Sequence, residues 1–355
     1  MTRIVVVGAG MAGMACARSL QRRGLSPLLI APVQETHNRG ETLSFRAGPF
    51  LETLDWLPLL DSATALACAG RYSIWGNELL RRDDSHGEAN GGWHIDRCKL
   101  EARMAQTLDA DGVARVTGMV RSMTRTPHGM VLERDDGTRH DAAFVVDCSG
   151  RAAVSAGDGC LTRVDRLVAV YALVAIGDDA EVAPATLVEA VGDGWWYMSA
   201  VPGRRMLVGF FTDSDLLTSG LRKEPQRFAQ MAAETIAVSQ RLASLDLDLT
   251  GQTLEFAPAS TVTATRIVEP RIVRAGDAAS ALDPLAANGL ATALWSGLQA
   301  ADVIAEFAEG QQSAAARYEQ SFLQGIAAHL TAQRSLYAAE RRFRDLPFWQ
   351  RRNGA

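Results

Sequence analysis

Gly8-Ala-Gly10-Met-Ala12-Gly13 is the first group of residues whose types and spacing can do chemistry. Glycines at this spacing let a strand turn sharply into a helix, let the backbone approach a bound anion, and let the helix pack close to the strand. The free N–H groups at the helix start favour a pyrophosphate, so Gly8, Gly10, Ala12 and Gly13 form a candidate binding loop. Two later groups reinforce it. Val145-Val146-Asp147-Cys148-Ser149-Gly150 is an apolar run ending in a small-residue turn. Gly276-Asp277-Ala278-Ala279 is followed by Asp283-Pro284-Leu285 and Asn288-Gly289-Leu290. Asp277 can accept a hydrogen bond from a ribose or ribityl hydroxyl. The N–H groups near Asn288 to Leu290 open a long helix and offer a positive pole to a ring that gathers negative charge on reduction. No residue stands out as a general base. His94, beside Trp93, is a candidate whose ordinary alternative is a structural histidine.

The elements that must position these groups read as an α/β chain. Ile4-Val-Val-Val7 is a buried strand, and a helix over 12–23 ends at Gly24. A second strand is expected at 28–30, helical periodicity at 100–108, and strands at 114–120, 129–133 and 143–148. Asp135-Asp136-Gly137-Thr138 has hairpin chemistry. Four strands, 168–176, 186–190, 195–202 and 206–212, look antiparallel and are separated by Gly-Asp-Gly and Pro-Gly-Arg-Arg turns. Helices are expected at 226–243, from Leu290 onward, and at 313–344, with a break at Pro347. The resulting picture is a discontinuous Rossmann-like domain (1–75, 93–160 and 265–310), an inserted antiparallel-sheet substrate domain (76–92 and 161–264), and C-terminal helices (311–355). The chain has 355 residues, 47% of them hydrophobic, and a net charge of −5. That charge gives no reason to expect nucleic acid or an anionic membrane as partner. No apolar run approaches the ~20 residues that span a bilayer. Met1-Thr2-Arg3 leads straight into the strand, so no secretory leader is expected. Cys16, Cys68, Cys98, Cys148 and Cys160 have no paired spacing and read as cytoplasmic thiols, with no metal site.

With these motifs in place, the chain resembles the FAD-dependent monooxygenase superfamily that includes p-hydroxybenzoate hydroxylase and the flavin-dependent halogenases. The resemblance runs over essentially the whole chain and implies FAD as cofactor. It implies that Glu41, in Gly40-Glu41-Thr42-Leu43, lies against FAD, and that Arg46 just beyond touches flavin or substrate. It implies that Arg97, in Gly92-Trp-His-Ile-Asp-Arg97, reaches the FAD phosphates. Asp277, Pro284, Asn288, Gly289 and Leu290 would meet the ribityl chain and ring. The chain departs from the pattern at the end of its second strand. An acid for the adenosine ribose is expected there, but Ala31-Pro32 follows, and the nearest acids are Glu35 and Glu41.

Asp147-Cys-Ser-Gly150 and Asp283-Pro284-Leu285 resemble the halogenase branch. Halogenases also need a lysine beside the substrate, and it would fall near Ser73. The only lysines are Lys99 and Lys223, which argues against chlorination. Gly92 to Arg97, Gly194-Trp195-Trp196-Tyr197 and the end from Tyr337 to Arg352 resemble a narrower group, the lysine-oxidase and glycine-oxidase maturases of cysteine tryptophylquinone biogenesis. The resemblance implies a monooxygenase that hydroxylates an indole-type ring, a peptidyl tryptophan on a precursor protein. It would use O2 and a reductant, NAD(P)H directly or through a flavin reductase. Trp195, Trp196 and Tyr197 could wall the substrate pocket or equally pack the core, and the arginines at 341–342 and 351–352 could dock an acidic partner or form an ordinary solvated charge run. The alternatives are halogenation or hydroxylation of a small free aromatic, and a non-catalytic flavoprotein that presents the precursor.

Overall fold

A computed structural model of the chain describes residues 3–33, 40–82, 91–157 and 159–354. Glu35, and residues 83–90 of the first substrate segment, lie outside these. Ile4–Val7 is β-branched and interior along its whole length, as suits a central parallel strand covered on both faces. It pairs in parallel with Phe144–Asp147 on one side and Pro27–Ala31 on the other. Ala114–Thr117 and Ile272–Arg274 extend the parallel sheet, and Val268–Glu269 closes one edge antiparallel. Strands from the start, middle and end of the chain thus meet in one sheet.

The helix Met11–Arg22 follows the glycine turn. Gly8 sits at φ +100°, and a Cβ there would lie 2.2 Å from the Cys148 carbonyl oxygen. A Cβ at Gly13 would lie 1.8 Å from the Gly8 carbonyl oxygen. Strand, turn and helix therefore approach more closely than any side chain permits. The long helix Gly289–Ala308 packs across Met11–Arg22 and completes this side of the core.

A second sheet has seven strands, in the order Glu255–Pro258, Leu167–Ala175, Arg205–Asp213, Gly194–Val201, Ala185–Val191, Gly70–Ile74 and Arg81–Arg82. The four strands expected between 168 and 212 are present and antiparallel. Gly70–Ile74, not anticipated from the sequence, joins Ala185–Val191 in parallel. A third, small sheet sets Gly40–Leu43 and Ala65–Ala67 on either side of Trp93–Asp96. Its register puts Thr42 opposite His94.

Several expected elements are corrected. The strand at 114–120 is two strands, because the chain turns at Gly118 (φ +154°) and re-enters as Val120–Thr126. Val120–Thr126, Gly129–Arg134 and Arg139–Ala142 form a meander, and the Asp135–Thr138 hairpin lies within it. The helix at 226–243 is two, Gln226–Ala233 and Ala237–Ser244. The buried carboxylate of Glu189 accepts the N–H groups of Ile236, Ala237 and Val238, the last two at 2.9 Å, and so caps a helix start from a distant strand. The helix Ser313–Ala339 stops short of Arg344. Glu340, fully buried, turns inward to accept the Gly76 N–H at 2.7 Å, and Pro347–Asn353 starts a separate helix. Among the described residues no helix is long and apolar enough to cross a membrane.

Two outcomes are expected. Gly13→Ala must displace the Gly8 carbonyl, and destabilisation by about 2 kcal/mol or more is expected; a wild-type midpoint in urea unfolding would contradict this packing. His94 is fully buried, and burial, followed by Arg71 and Arg241, pushes its pKa down to about 4. The unfolded imidazole titrates near about 6.5, so the folded state holds fewer protons between the two values. Stability is therefore lost as pH falls through that window, by up to about 3 kcal/mol. The unfolding free energies of wild type and His94→Gln should converge between about pH 7 and about pH 4.5; a constant gap would overturn the assignment.

Candidate active site

The carboxyl ends of the central parallel strands and one face of the seven-stranded sheet enclose a cavity of about 320 Å³. Of the residues singled out in the sequence, Gly10, Ala12, Glu41, Arg97, Asp277, Pro284, Gly289 and Leu290 line it. Gly8 and Gly13 do not; they set the turn behind it. Asn288 is the N-cap of Gly289–Ala308, without a side-chain cap bond. Arg46 is exposed at the end of the short turn Phe45–Ala47 and is not part of the lining.

The first helix presents an uncapped N-terminus to this space. Its N-cap is Gly10, and a Cβ built there meets nothing closer than Arg97 Nη2 at 3.8 Å. An open helix start beside a guanidinium suits a diphosphate. Arg97 is itself held by two acids. Its Nη1 donates to Glu41 Oε1 at 2.6 Å and its Nε to Glu101 Oε1 at 2.9 Å. Glu41 foremost, with Glu101, raises the arginine pKa against the effect of burial. Glu41 is thus engaged with Arg97. Glu101 was missed in the sequence, although its i,i+4 spacing from Arg97 on the helix Arg97–Ala110 was a usable signal.

Asp277 faces the same cavity, with Arg151 Nε 3.8 Å from its Oδ2. Burial raises its pKa, and Arg151 and then Arg97 oppose that. A carboxylate so placed can accept the hydroxyls of a ribityl chain. Arg151 follows directly on the Asp147–Gly150 turn, and sequence reading stopped one residue short of it. Its Nη1 donates to the Ser260 carbonyl at 2.7 Å. An open helix start, an oriented arginine and an accepting carboxylate are groups that the diphosphate and ribityl hydroxyls of FAD can engage.

The opposite wall is aromatic. Trp195 and Tyr197 line the cavity, but Trp196 does not. Side chains alternate across a strand, so Trp196 points to the other face and packs on Phe210 and Phe228, with ring centroids 5.1 and 4.9 Å away. Trp195 stacks on Phe211 at 3.9 Å with planes 5° apart. Its Nε1 donates to the Tyr337 hydroxyl at 3.2 Å, and that hydroxyl donates to Asp283 Oδ2 at 2.8 Å. The last two arginines of the basic end are paired within the chain. Arg351 pairs with Asp213 at 2.9 Å and Asp215 at 2.8 Å, and Arg352 pairs with Asp213 at 2.8 Å. Neither lysine lines the cavity, and Lys99 Nζ lies 3.5 Å from Asp96. His94 is interior and also outside the lining.

Comparison with known proteins agrees with this construction. The tryptophan halogenase family matches residues 61–355 and an FAD-binding domain family matches residues 3–48. LodB of Marinomonas mediterranea, described as an FAD-dependent oxidoreductase, is 25% identical over 361 residues, 98% of this chain and 96% of that protein. The solved structure of QhpG, a peptidyl tryptophan dihydroxylase essential for tryptophylquinone cofactor biogenesis, aligns with a TM-score of 0.82 at 28% identity, over 99% of this chain and 78% of that one. The flavin-dependent halogenase CmlS aligns with a TM-score of 0.85 at 19% identity, over 99% of this chain and 68% of that one, a likeness of fold. The expected kinship and α/β fold hold, and the cofactor is FAD. The chain is an FAD-dependent oxidoreductase and belongs to the tryptophan halogenase family.

Proposed function

We propose that this chain is an oxygenase that adds oxygen to the indole ring of a tryptophan carried by a precursor protein, during maturation of an enzyme with a tryptophan-derived quinone cofactor. One observation carries this reading. A single cavity has Gly10, Arg97 and Asp277 on one side and Trp195, Tyr197 and Phe211 on the other, with no lysine in its lining. QhpG, 28% identical, acts on a peptidyl tryptophan, which supports the same substrate here. A lining without lysine lacks the group that would present an activated halogen.

Each part of the chain has a defined task in this reading. The N–H groups around Gly10 and Ala12 hold the FAD diphosphate, with Arg97 turned toward it by Glu41 and Glu101. Asp277 accepts from the ribityl hydroxyls. The start of the helix Gly289–Ala308, with Pro284, Asn288, Gly289 and Leu290, sets its positive pole toward the ring. Bound FAD, once reduced, supplies the electrons that activate O2. Trp195, Phe211, Leu207 and Ala259 exclude water from the reacting ring and hold it in one plane. Arg46 has no part in this reading.

Membership of a halogenase family favours a second reading, modification of a small free aromatic. One experiment separates the two. FAD-loaded protein is reduced and exposed to isotopically labelled O2 with chloride and bromide present, and is offered either a tryptophan-bearing precursor protein or free tryptophan. The precursor should gain one or two labelled oxygen atoms by mass, and free tryptophan none. Addition of halogen, or oxygenation of the free amino acid alone, would sink the first reading. Arg97→Met should weaken FAD binding by about tenfold or more. Retention of FAD at the wild-type level in equilibrium dialysis would remove Arg97 from the phosphate site.

A further inference from the structure

Three polar side chains form a line from the cavity into the interior. Tyr197 lines the cavity, and its Oη lies 2.6 Å from Thr42 Oγ1. Thr42 Oγ1 in turn lies 3.1 Å from His94 Nδ1. The line crosses between sheets. Thr42 and His94 face each other in the small sheet, whereas Tyr197 belongs to the central strand Gly194–Val201 of the large one.

The direction of the line follows from the last member. His94 is fully buried among groups that include Arg71 and Arg241, so its ring stays neutral and carries one proton. Thr42 occupies Nδ1. Nε2 makes no hydrogen bond among the described residues. With the proton on Nε2, Nδ1 accepts. Thr42 must then donate to His94, and its oxygen accepts from Tyr197. In that arrangement the Tyr197 proton is turned toward Thr42, which leaves the phenol oxygen able to accept from a ligand in the cavity that Tyr197 lines. Burial raises the Tyr197 pKa, with Ser199, Thr42 and Thr186 opposing, so the group remains a phenol at neutral pH.

We propose that Tyr197 determines specificity by accepting a hydrogen bond from the N–H of an indole ring, with Thr42 and His94 as positioning residues that keep its own proton turned away. The inference rests on the reading of the site as a tryptophan oxygenase. Indole nitrogen is a donor only, so an acceptor beside the stacked Trp195–Phe211 wall selects for it. A ring of the same shape without N–H leaves that acceptor unpaired, which is the kind of mismatch a polar site rejects most strongly.

The test uses the FAD-loaded protein and two probes, N-acetyl-tryptophanamide and its benzothienylalanine counterpart, in which sulfur replaces the N–H. Binding is followed by the flavin absorbance change. Wild type should bind the sulfur analogue roughly five- to tenfold more weakly. Tyr197→Phe should bring the ratio close to one, and Thr42→Val should reduce it. Each variant is its own reference, so a general loss of affinity does not mimic the effect. Equal binding by wild type, an unchanged ratio in Tyr197→Phe, or no binding of either probe would overturn the inference. Such failure leaves oxygen transfer to the precursor protein standing. Conversely, a precursor without added oxygen would sink the functional reading even where the ratio holds.

Discussion

A carboxylate almost wholly removed from water holds the two halves of this protein in register. Asp283 is 2% exposed, and its burial raises the pKa of the group. Left alone there it would be very costly, but three donors converge on it. The Leu285 N–H reaches Oδ1 at 2.8 Å, and Gln333 Nε2 and the Tyr337 hydroxyl each reach Oδ2 at 2.8 Å. Gln333 and Tyr337 come from the helix Ser313–Ala339, and Tyr337 also accepts from Trp195 on the large sheet. One buried charge thus fixes the loop after the Gly276-Asp277 turn, a C-terminal helix and the aromatic wall at set distances. Asp283 itself lines the cavity between them.

Charge on the cofactor side is arranged by the same logic of partnership. Arg97 faces the first helix, but two acids decide its direction, and a planar guanidinium with two of its edges engaged loses little further freedom on meeting a phosphate. Asp277 is set against Arg151, so its carboxylate is oriented as well as buried. At the far end Arg351 and Arg352 are engaged by Asp213 and Asp215, and Arg352 also lies over the Phe348 ring at 3.6 Å. A run that looks like a basic tail in sequence is a clasp between the helix Pro347–Asn353 and the strand Arg205–Asp213.

Much of the framework was legible because it rests on local rules. The β-branched run before Gly8, the hairpin at Asp135–Thr138 and the alternation of the four long strands each follow from backbone preference and period. Three of the errors share a different cause. The helix break near Thr235 depends on Glu189, 47 residues away in sequence from Ile236. The end of the helix at Ala339 depends on Glu340 reaching Gly76. Gly70–Ile74 becomes a strand because Ala185–Val191 offers it an edge. Trp196 was placed in the pocket wall with its neighbours, although strict alternation already assigned it to the other face.

The sequence alone determined the turn chemistry at Gly8 to Gly13, the three fingerprints whose resemblance to a flavoprotein superfamily implies FAD, and the scarcity of lysine. These are properties of residue type and short spacing, which survive without knowledge of partners. Only the tertiary structure decided that Glu41 reaches Arg97, that Arg151 sets Asp277, and that Thr42 links His94 to Tyr197. Each of these contacts joins segments tens to hundreds of residues apart or a side chain to a direction in space. A linear pattern carries neither distance nor direction, so the orientation of the site had to await the packing of the sheets.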